Sequence, residues 1–283
     1  MNRLAVITDE ISEDLAHALQ VCAELGIRDV ELRSINGASI VDHSPESLRD
    51  IKSMLGDGGF SVCAIASPFL KTHISDEHAP TGNVHSAREL SREEHWDVLK
   101  RSLEIAHMLD AQIVRTFSFW RVADPESVRE NILETLGIAT QITGDAGKLL
   151  GLENEHACNI GSGLEAAWYL EQLTDPTLGI IWDPGNIAAL GDAPDKSQYD
   201  AVAGRIFHVH VKDGSAIPAE TFVTPGDGAC DWESQLRWLY EGGYDGPLSL
   251  ETHFELNGSK EAATRATAAA MRTLAESAGM PLA

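Results

Sequence analysis

One recurrence constrains this chain more than anything else in it. Eight times from end to end, a short apolar run rich in β-branched residues is followed by an amphipathic stretch and then by the next short run. Runs of that length read as strands, and apolar residues three and four apart read as helices packed on them. The pattern predicts strands over Leu4–Thr8, Asp29–Arg33, Phe60–Ala66, Gln112–Phe117, Leu149–Asn154, Leu178–Asp183, Arg205–Val211 and Pro247–Thr252. Helices are expected over Ser12–Leu25, His85–Leu109, Pro125–Ala146, Gly163–Leu173, Trp232–Glu241 and Lys260–Ser277, with a short one around Lys196–Ala203. The second helix starts at Ser44-Pro45-Glu46, which offers an N-cap, a proline in the first helical position and an early acid.

Strands that alternate with helices form a parallel sheet. Eight such units in 283 residues fit an α/β fold of one domain, a (β/α)8 TIM barrel spanning residues 1–283. A doubly wound open sheet usually carries a glycine-rich phosphate loop after its first strand, and Thr8-Asp9-Glu10-Ile11 is no such loop. No Pro/Ser/Gly-rich linker divides the chain, and its longest polar connection, Gly82 to Ser91, is expected to cap the barrel mouth.

Charge and cysteine usage narrow the partners. With 44 acids against 21 lysines and arginines the net charge is −23, which repels a phosphate backbone and excludes nucleic acid as the expected partner. No apolar run approaches the length of a membrane span. Cys22, Cys63, Cys158 and Cys230 are far apart and form no CxxC, so a reduced, cytoplasmic protein is expected.

In a barrel, chemistry collects at the C-terminal ends of the strands. The last four strands end in Glu153-Asn154-Glu155-His156, Trp182-Asp183-Pro184-Gly185-Asn186, His208-Val209-His210-Val211-Lys212-Asp213 and Glu251-Thr252-His253. Side chains alternate along a strand. His208, His210 and Lys212 therefore share the inward face, while Phe207, Val209 and Val211 meet the helices. The same alternation aims Glu153, Asp183 and Glu251 into the mouth. Three carboxylates and an imidazole converging there repel one another unless a cation joins them. An oxygen-rich set with one nitrogen suits one divalent metal ion, Mn²⁺ in the first place, with Mg²⁺, Co²⁺ or Zn²⁺ as alternatives.

These motifs, with Val30-Glu31-Leu32-Arg33, Gly226-Asp227-Gly228, Asp231-Trp232 and Gly243-Tyr244-Asp245-Gly246-Pro247-Leu248-Ser249-Leu250-Glu251, make the chain resemble the xylose-isomerase-like barrel superfamily over essentially its whole length. That superfamily contains sugar phosphate isomerases and epimerases as well as endonuclease IV. The resemblance implies a divalent metal held by Glu153, Asp183, His210 and Glu251, with Glu153 and Glu251 also acting as the acid/base pair of an isomerase or epimerase. The substrate implied is a keto sugar or related polyol, reacting through an enediolate whose charge the metal stabilises. The sequence departs from the ketose 3-epimerases at Asn186, where they carry His, and at Ala216, where they carry Arg. His156 and Lys212 are candidates to replace those sugar contacts. The alternative within the superfamily is a lyase or dehydratase acting on a keto-polyol or 3-keto-glycoside from the same metal site. An endonuclease would need several zinc ions and a His near Asp183, where Asn186 stands, and a non-catalytic binding barrel is disfavoured by the intact ligand set.

Further substrate-contact candidates are Asn186, Glu31, Arg115, Trp120 and His253. Glu31 and Arg33 share a face and are read as an ion pair or as substrate contacts. Arg115 needs an anion, either a substrate oxygen or Glu153. Trp120 follows the fourth strand in Phe117-Ser118-Phe119-Trp120 and is read as an apolar wall or as loop packing. His208 is expected to be a hydrogen-bonded core residue. The expected partner is a small carbohydrate, and a homo-oligomer is left open.

Overall fold

A computed structural model describes residues 2–74, 92–219 and 221–283. Eight parallel strands close into a barrel: β1 (Arg3–Ile7), β2 (Asp29–Leu32), β3 (Ser61–Ile65), β4 (Ile113–Thr116), β5 (Leu149–Glu153), β6 (Leu178–Trp182), β7 (Ile206–Val211) and β8 (Pro247–Leu250). Each strand pairs with its neighbour in sequence, and β8 pairs back onto β1, Leu4 opposite Leu248. All eight expected strands are therefore present. Their expected ends run too far: Thr8, Arg33, Asn154, Asp183 and Thr252 lie just past the ladders. These polar residues leave the ladder to cap helices or enter the mouth, which an apolar pattern does not register. The expected mouth-capping connection, Gly82 to Ser91, lies outside the described residues.

The helices are α1 (Leu15–Glu24), α2 (Pro45–Gly58), α3 (Arg92–Met108), α4 (Arg129–Asp145), α5 (Gly163–Gln172), α6 (Pro184–Leu190), α7 (Lys196–Asp200), α8 (Trp232–Glu241) and α9 (Lys260–Ala278). Ser44 caps α2 by accepting from the Ser47 amide, with Pro45 in the first turn and Gly59 closing the helix at φ 65°. The short helix expected over Lys196–Ala203 is shorter still, and α6 before it was not foreseen. Pro184 and Gly185 read as helix breakers. Proline is tolerated in the first turn, however, and Asp183 supplies the cap. Two small antiparallel ribbons, Ser34–Ile35 with Ala38–Ser39 and Asp213–Gly214 with Phe222–Val223, follow β2 and β7. Among the described residues no helix is long and apolar enough to cross a membrane.

Two cores result. Outward residues such as Val6, Val30, Leu32, Leu150, Leu152, Ile180, Val209 and Leu250 belong to one large cluster with the helices. Inside the barrel, Ala64, Ile113 and Ile181 pack with Leu149 and Phe207. Phe207 corrects the simple alternation. A bulge between β6 and β7 sets Ile180 opposite Ile206 but Ile181 opposite His208, so Phe207 turns into the barrel rather than toward the helices. Its ring lies where a side chain on Gly179 would stand, 2.6 Å from an ideal Cβ there. Gly151 makes the same concession to Ile181 and Ile113, whose atoms lie 2.8 and 3.0 Å from its ideal Cβ. The N-terminal half of the barrel is thus plugged with hydrocarbon, and the polar groups occupy the half that opens at the mouth.

Gly151→Val forces a branched side chain into that plug and is expected to destabilise the fold by about 1–3 kcal/mol. Urea unfolding of the variant reads this directly, and an unmoved midpoint would contradict the packing described.

Candidate metal centre

Four residues from four successive strands meet at the mouth. Glu153 ends β5 and points inward because Leu150 and Leu152 are claimed by the helix-facing core. Its Oε2 accepts from Arg115 Nη1 at 3.0 Å, and its Oε1 from Asn186 Nδ2 at 3.2 Å. Asp183 follows β6 and caps α6, its Oδ1 accepting from the Asn186 amide at 3.0 Å. That leaves Oδ2 for the mouth, where Lys212 Nζ stands 2.8 Å away and Asn186 Nδ2 3.1 Å away. Asn154 fixes the backbone there: its side chain donates to the Asp183 carbonyl at 2.7 Å and accepts from the Asp183 amide at 2.9 Å.

His210 on β7 presents Nδ1 to Glu153 Oε1 at 3.3 Å and to Glu251 Oε2 at 3.4 Å. Its Nε2 faces away, toward both oxygens of Glu31 at 3.2 and 3.1 Å. Glu251, just past β8, receives Arg33 Nη1 at 2.8 Å on Oε1 and Lys212 Nζ at 3.0 Å on Oε2. Glu153, Asp183, His210 and Glu251 are all buried, and each offers a ligand atom within 4.8 Å of the others. Three carboxylate oxygens and one imidazole nitrogen at that spacing fit a divalent ion. Glu31 behind His210 is the kind of outer partner that holds a ligating histidine in the required tautomer.

Burial pushes every charge here toward neutrality, and the neighbours decide the outcome. At Glu153 burial is outweighed by Arg115 and His210, which hold the carboxyl below its usual range. Glu251 lies well below that range because Lys212, His253 and His210 overcome burial. Asp183 goes the other way, to about 6: burial raises it, Lys212 opposes, and Glu251 and Glu153 add to the rise. His210 lies well above the ordinary imidazole value, since Glu31, Glu153 and Glu251 outweigh burial.

The remaining expected residues fall into three positions. Asn186, Lys212 and Arg115 join the four-residue cluster directly, Arg115 through Glu153. His156 and His253 stand at its rim: His156 Nδ1 is 3.0 Å from Asn186 Oδ1, and His253 Nε2 is 3.1 Å from Glu251 Oε1. Glu31 and Trp120 stand apart from the open mouth. Glu31 is fully inaccessible and does not pair with Arg33. It binds His210 and His208, the latter at 3.0 Å, so His208 is the buried core residue expected. Trp120 packs with Phe117 and Cys158, beneath the Lys71 ammonium, 5.7 Å from its ring.

Four groups of the mouth, Asp9, Glu10, Lys71 and Glu155, were not foreseen as site residues. Arg33 also binds Asp9 at 2.8 Å and Glu10 at 2.5 Å, and Glu155 holds Lys71 at 3.5 Å and His156 at 2.8 Å. Two consecutive acids after the first strand, Asp9-Glu10, were the available signal.

The model of the xylose isomerase-like TIM barrel family matches residues 19–274. An inosose dehydratase of Lacticaseibacillus casei is 25% identical over an alignment of 138 positions that covers 42% of this chain and 46% of that protein. The match thus spans about half the length of that relative. Among solved structures, an IOLI protein with a bound zinc atom superimposes with a TM-score of 0.76 at 18% identity, over 96% of this chain and 97% of the other. The 3-keto-D-glucoside 4-epimerase YcjR from E. coli gives 0.72 at 15% identity, over 97% and 98%. At these identities the two structures speak for the fold alone.

A cation entering the four-residue set displaces protons from Asp183 and His210. His210, held well above the ordinary imidazole value, must give up its proton, and Asp183, at about 6, still carries one at the acid end of the range, so apparent Mn²⁺ affinity should rise from pH 5.5 to 7.5, by up to about tenfold per unit for each proton released and less steeply once Asp183 has ionised. Calorimetric titration at the two pH values measures it, and a flat profile would speak against these ligands. Glu31→Ala should weaken Mn²⁺ binding by about 10- to 100-fold by freeing the His210 ring, read by the same titration.

Proposed function

Because the chain belongs to the xylose isomerase-like TIM barrel family, we propose that it is a divalent-metal-dependent isomerase or epimerase of a keto sugar or related polyol. In this reading Glu153, Asp183, His210 and Glu251 hold the metal, and Glu153 and Glu251 move the proton. The observation that carries it is the placing of two glutamates against one imidazole nitrogen, 3.3 and 3.4 Å from His210 Nδ1. A divalent cation, when bound, would supply Lewis-acid stabilisation for negative charge developing on the substrate ketone oxygen.

The chain's own residues do the rest. Glu153 has Oε2 tied to Arg115, which turns Oε1 toward the mouth and keeps the group ionised, as a base requires. Taking the proton α to the ketone is its task. Glu251 faces the same space from β8, and returning a proton to a different face or carbon completes an isomerisation. Lys212 Nζ, 3.0 Å from Glu251 Oε2, stays charged beside Asp183 and Glu251 and orients the carboxylate, so the proton that Glu251 returns is one it takes up from solvent at the mouth. Asn186 binds Glu153 and Asp183 and hands its carbonyl to His156. It therefore orients the acids, and His156 and His253 are left to meet substrate hydroxyls at the rim.

The second reading is a lyase or dehydratase that begins with the same proton removal and then expels a group from the β carbon. The dehydratase activity of the Lacticaseibacillus casei relative favours it, as does the absence of a histidine at position 186. Proton NMR of the Mg²⁺-loaded protein in D₂O with ketoses, inososes and 3-keto-glycosides separates the two. Deuterium α to the ketone in a product of conserved mass supports isomerisation, and a released fragment or water supports elimination. Glu251→Gln should lower turnover by about 10²- to 10⁴-fold, and full activity in that variant would sink the mechanism.

A further inference from the structure

The charges at the mouth carry information about what can enter it. Arg115 faces Glu153 at 3.0 Å. Lys212 faces Asp183 and Glu251 at 2.8 and 3.0 Å. Arg33 is shared among Asp9, Glu10 and Glu251, and Lys71 is held by Glu155 at 3.5 Å while lying over the Phe117 ring. Every buried or half-buried guanidinium or ammonium that the described residues place at the mouth thus already has a carboxylate. The two rim imidazoles are matched as well, His156 to Glu155 and His253 to Glu10 and Glu251. Arg121, further out, is bound to Glu165. Lys260, exposed at the head of α9, gives its ammonium to the Asp9 carbonyl.

We propose that this mouth selects uncharged polyhydroxy ketones and excludes phosphate esters and carboxylates. The inference rests on the functional reading above and narrows its substrate class. Arg33, Lys71, Arg115 and Lys212 stand among seven carboxylates once Glu31 is included. Four positive charges and a bound divalent ion bring these carboxylates close to neutrality and leave none of the four cations over. Among the described residues a phosphate dianion finds no unmatched cation to pair with and must break an existing ion pair in a low-dielectric site, which is costly. A neutral polyol meets the opposite situation. Its hydroxyls can donate to the second lone pairs of carboxylates whose first is taken by arginine or lysine, and they can accept from the remaining N–H groups.

The test is calorimetric binding of a matched, unreactive pair, glucitol and glucitol 6-phosphate, to the Mg²⁺-loaded protein and to its Glu155→Gln variant. Wild type should bind the ester at least about tenfold more weakly than the neutral polyol. Glu155→Gln releases Lys71 from its partner and should narrow or reverse that ratio. Tighter binding of the ester by wild type would overturn the proposal, and so would failure to bind either polyol. A ratio unmoved by Glu155→Gln would overturn the charge matching as its cause. The deuterium-exchange experiment stays separate. A preserved binding ratio without exchange on any ketone would remove the enolising function but keep the preference for neutral polyols.

Discussion

Close approach of like charges in a buried space is the constraint on which the rest of this structure depends. Two carboxylates about 4 Å apart repel by roughly 4 kcal/mol at an effective dielectric of 20, and here Glu153, Asp183 and Glu251 share one cluster with His210. Each acid is accordingly tied from outside the cluster: Glu153 by Arg115, Glu251 by Arg33, and Asp183 by the amide at the start of α6. These ties use one oxygen of each carboxylate and leave the other turned inward. The neighbours that offset the repulsion are thus the same groups that set the direction of the ligands.

Most of the barrel could be read from the chain because hydrophobic alternation reports which face of a strand meets the helices. That logic placed Glu153, Asp183, His210 and Glu251 on adjacent strand ends, and the structure brings them together. It failed where the backbone breaks the period. Phe207 occupies a bulge, so Phe207 and His208 both turn inward, a geometry that no count of alternating residues contains. It also could not assign partners among charged residues. Glu31 and Arg33 do lie on one face, two residues apart, but the barrel closes β2 against groups from distant strands. Glu31 lies beneath the β7 histidines while Arg33 rises to Asp9, Glu10 and Glu251. Such pairings depend on the relative height of eight strands, which is a property of the closed barrel and not of any one segment.

The division of the barrel into an apolar and a polar half follows from two glycines as much as from the polar residues. Gly151 and Gly179 lie one and two residue pairs below the acids at the ends of their strands, Glu153 and Asp183. Their missing side chains admit Ile181, Ile113 and Phe207 into the interior. That hydrocarbon lies next to His208 and Glu31, both fully buried. The low polarity it creates strengthens the Glu31–His210 contact and makes an unpaired charge there prohibitive. A packed N-terminal half is therefore part of how the mouth is tuned.

Asn186 shows how a substitution at the mouth can keep the metal centre and change what it serves. Related ketose 3-epimerases carry a histidine at this position that reaches the sugar. Here the shorter amide folds back, giving both its N–H groups to Glu153 and Asp183 and its carbonyl to His156. The imidazole that meets Asn186 stands further out, at His156, whose side chain is 40% exposed and paired with Glu155. A donor at the rim meets a different part of the substrate from a donor beside Asp183. In the proposed mechanism proton removal next to the ketone is untouched by that difference, whereas the fate of the next carbon depends on which group stands over it. In the proposed mechanism the choice between isomerisation and elimination would then fall to the Asn186–His156 pair, since both reactions start from the same four converging strand ends.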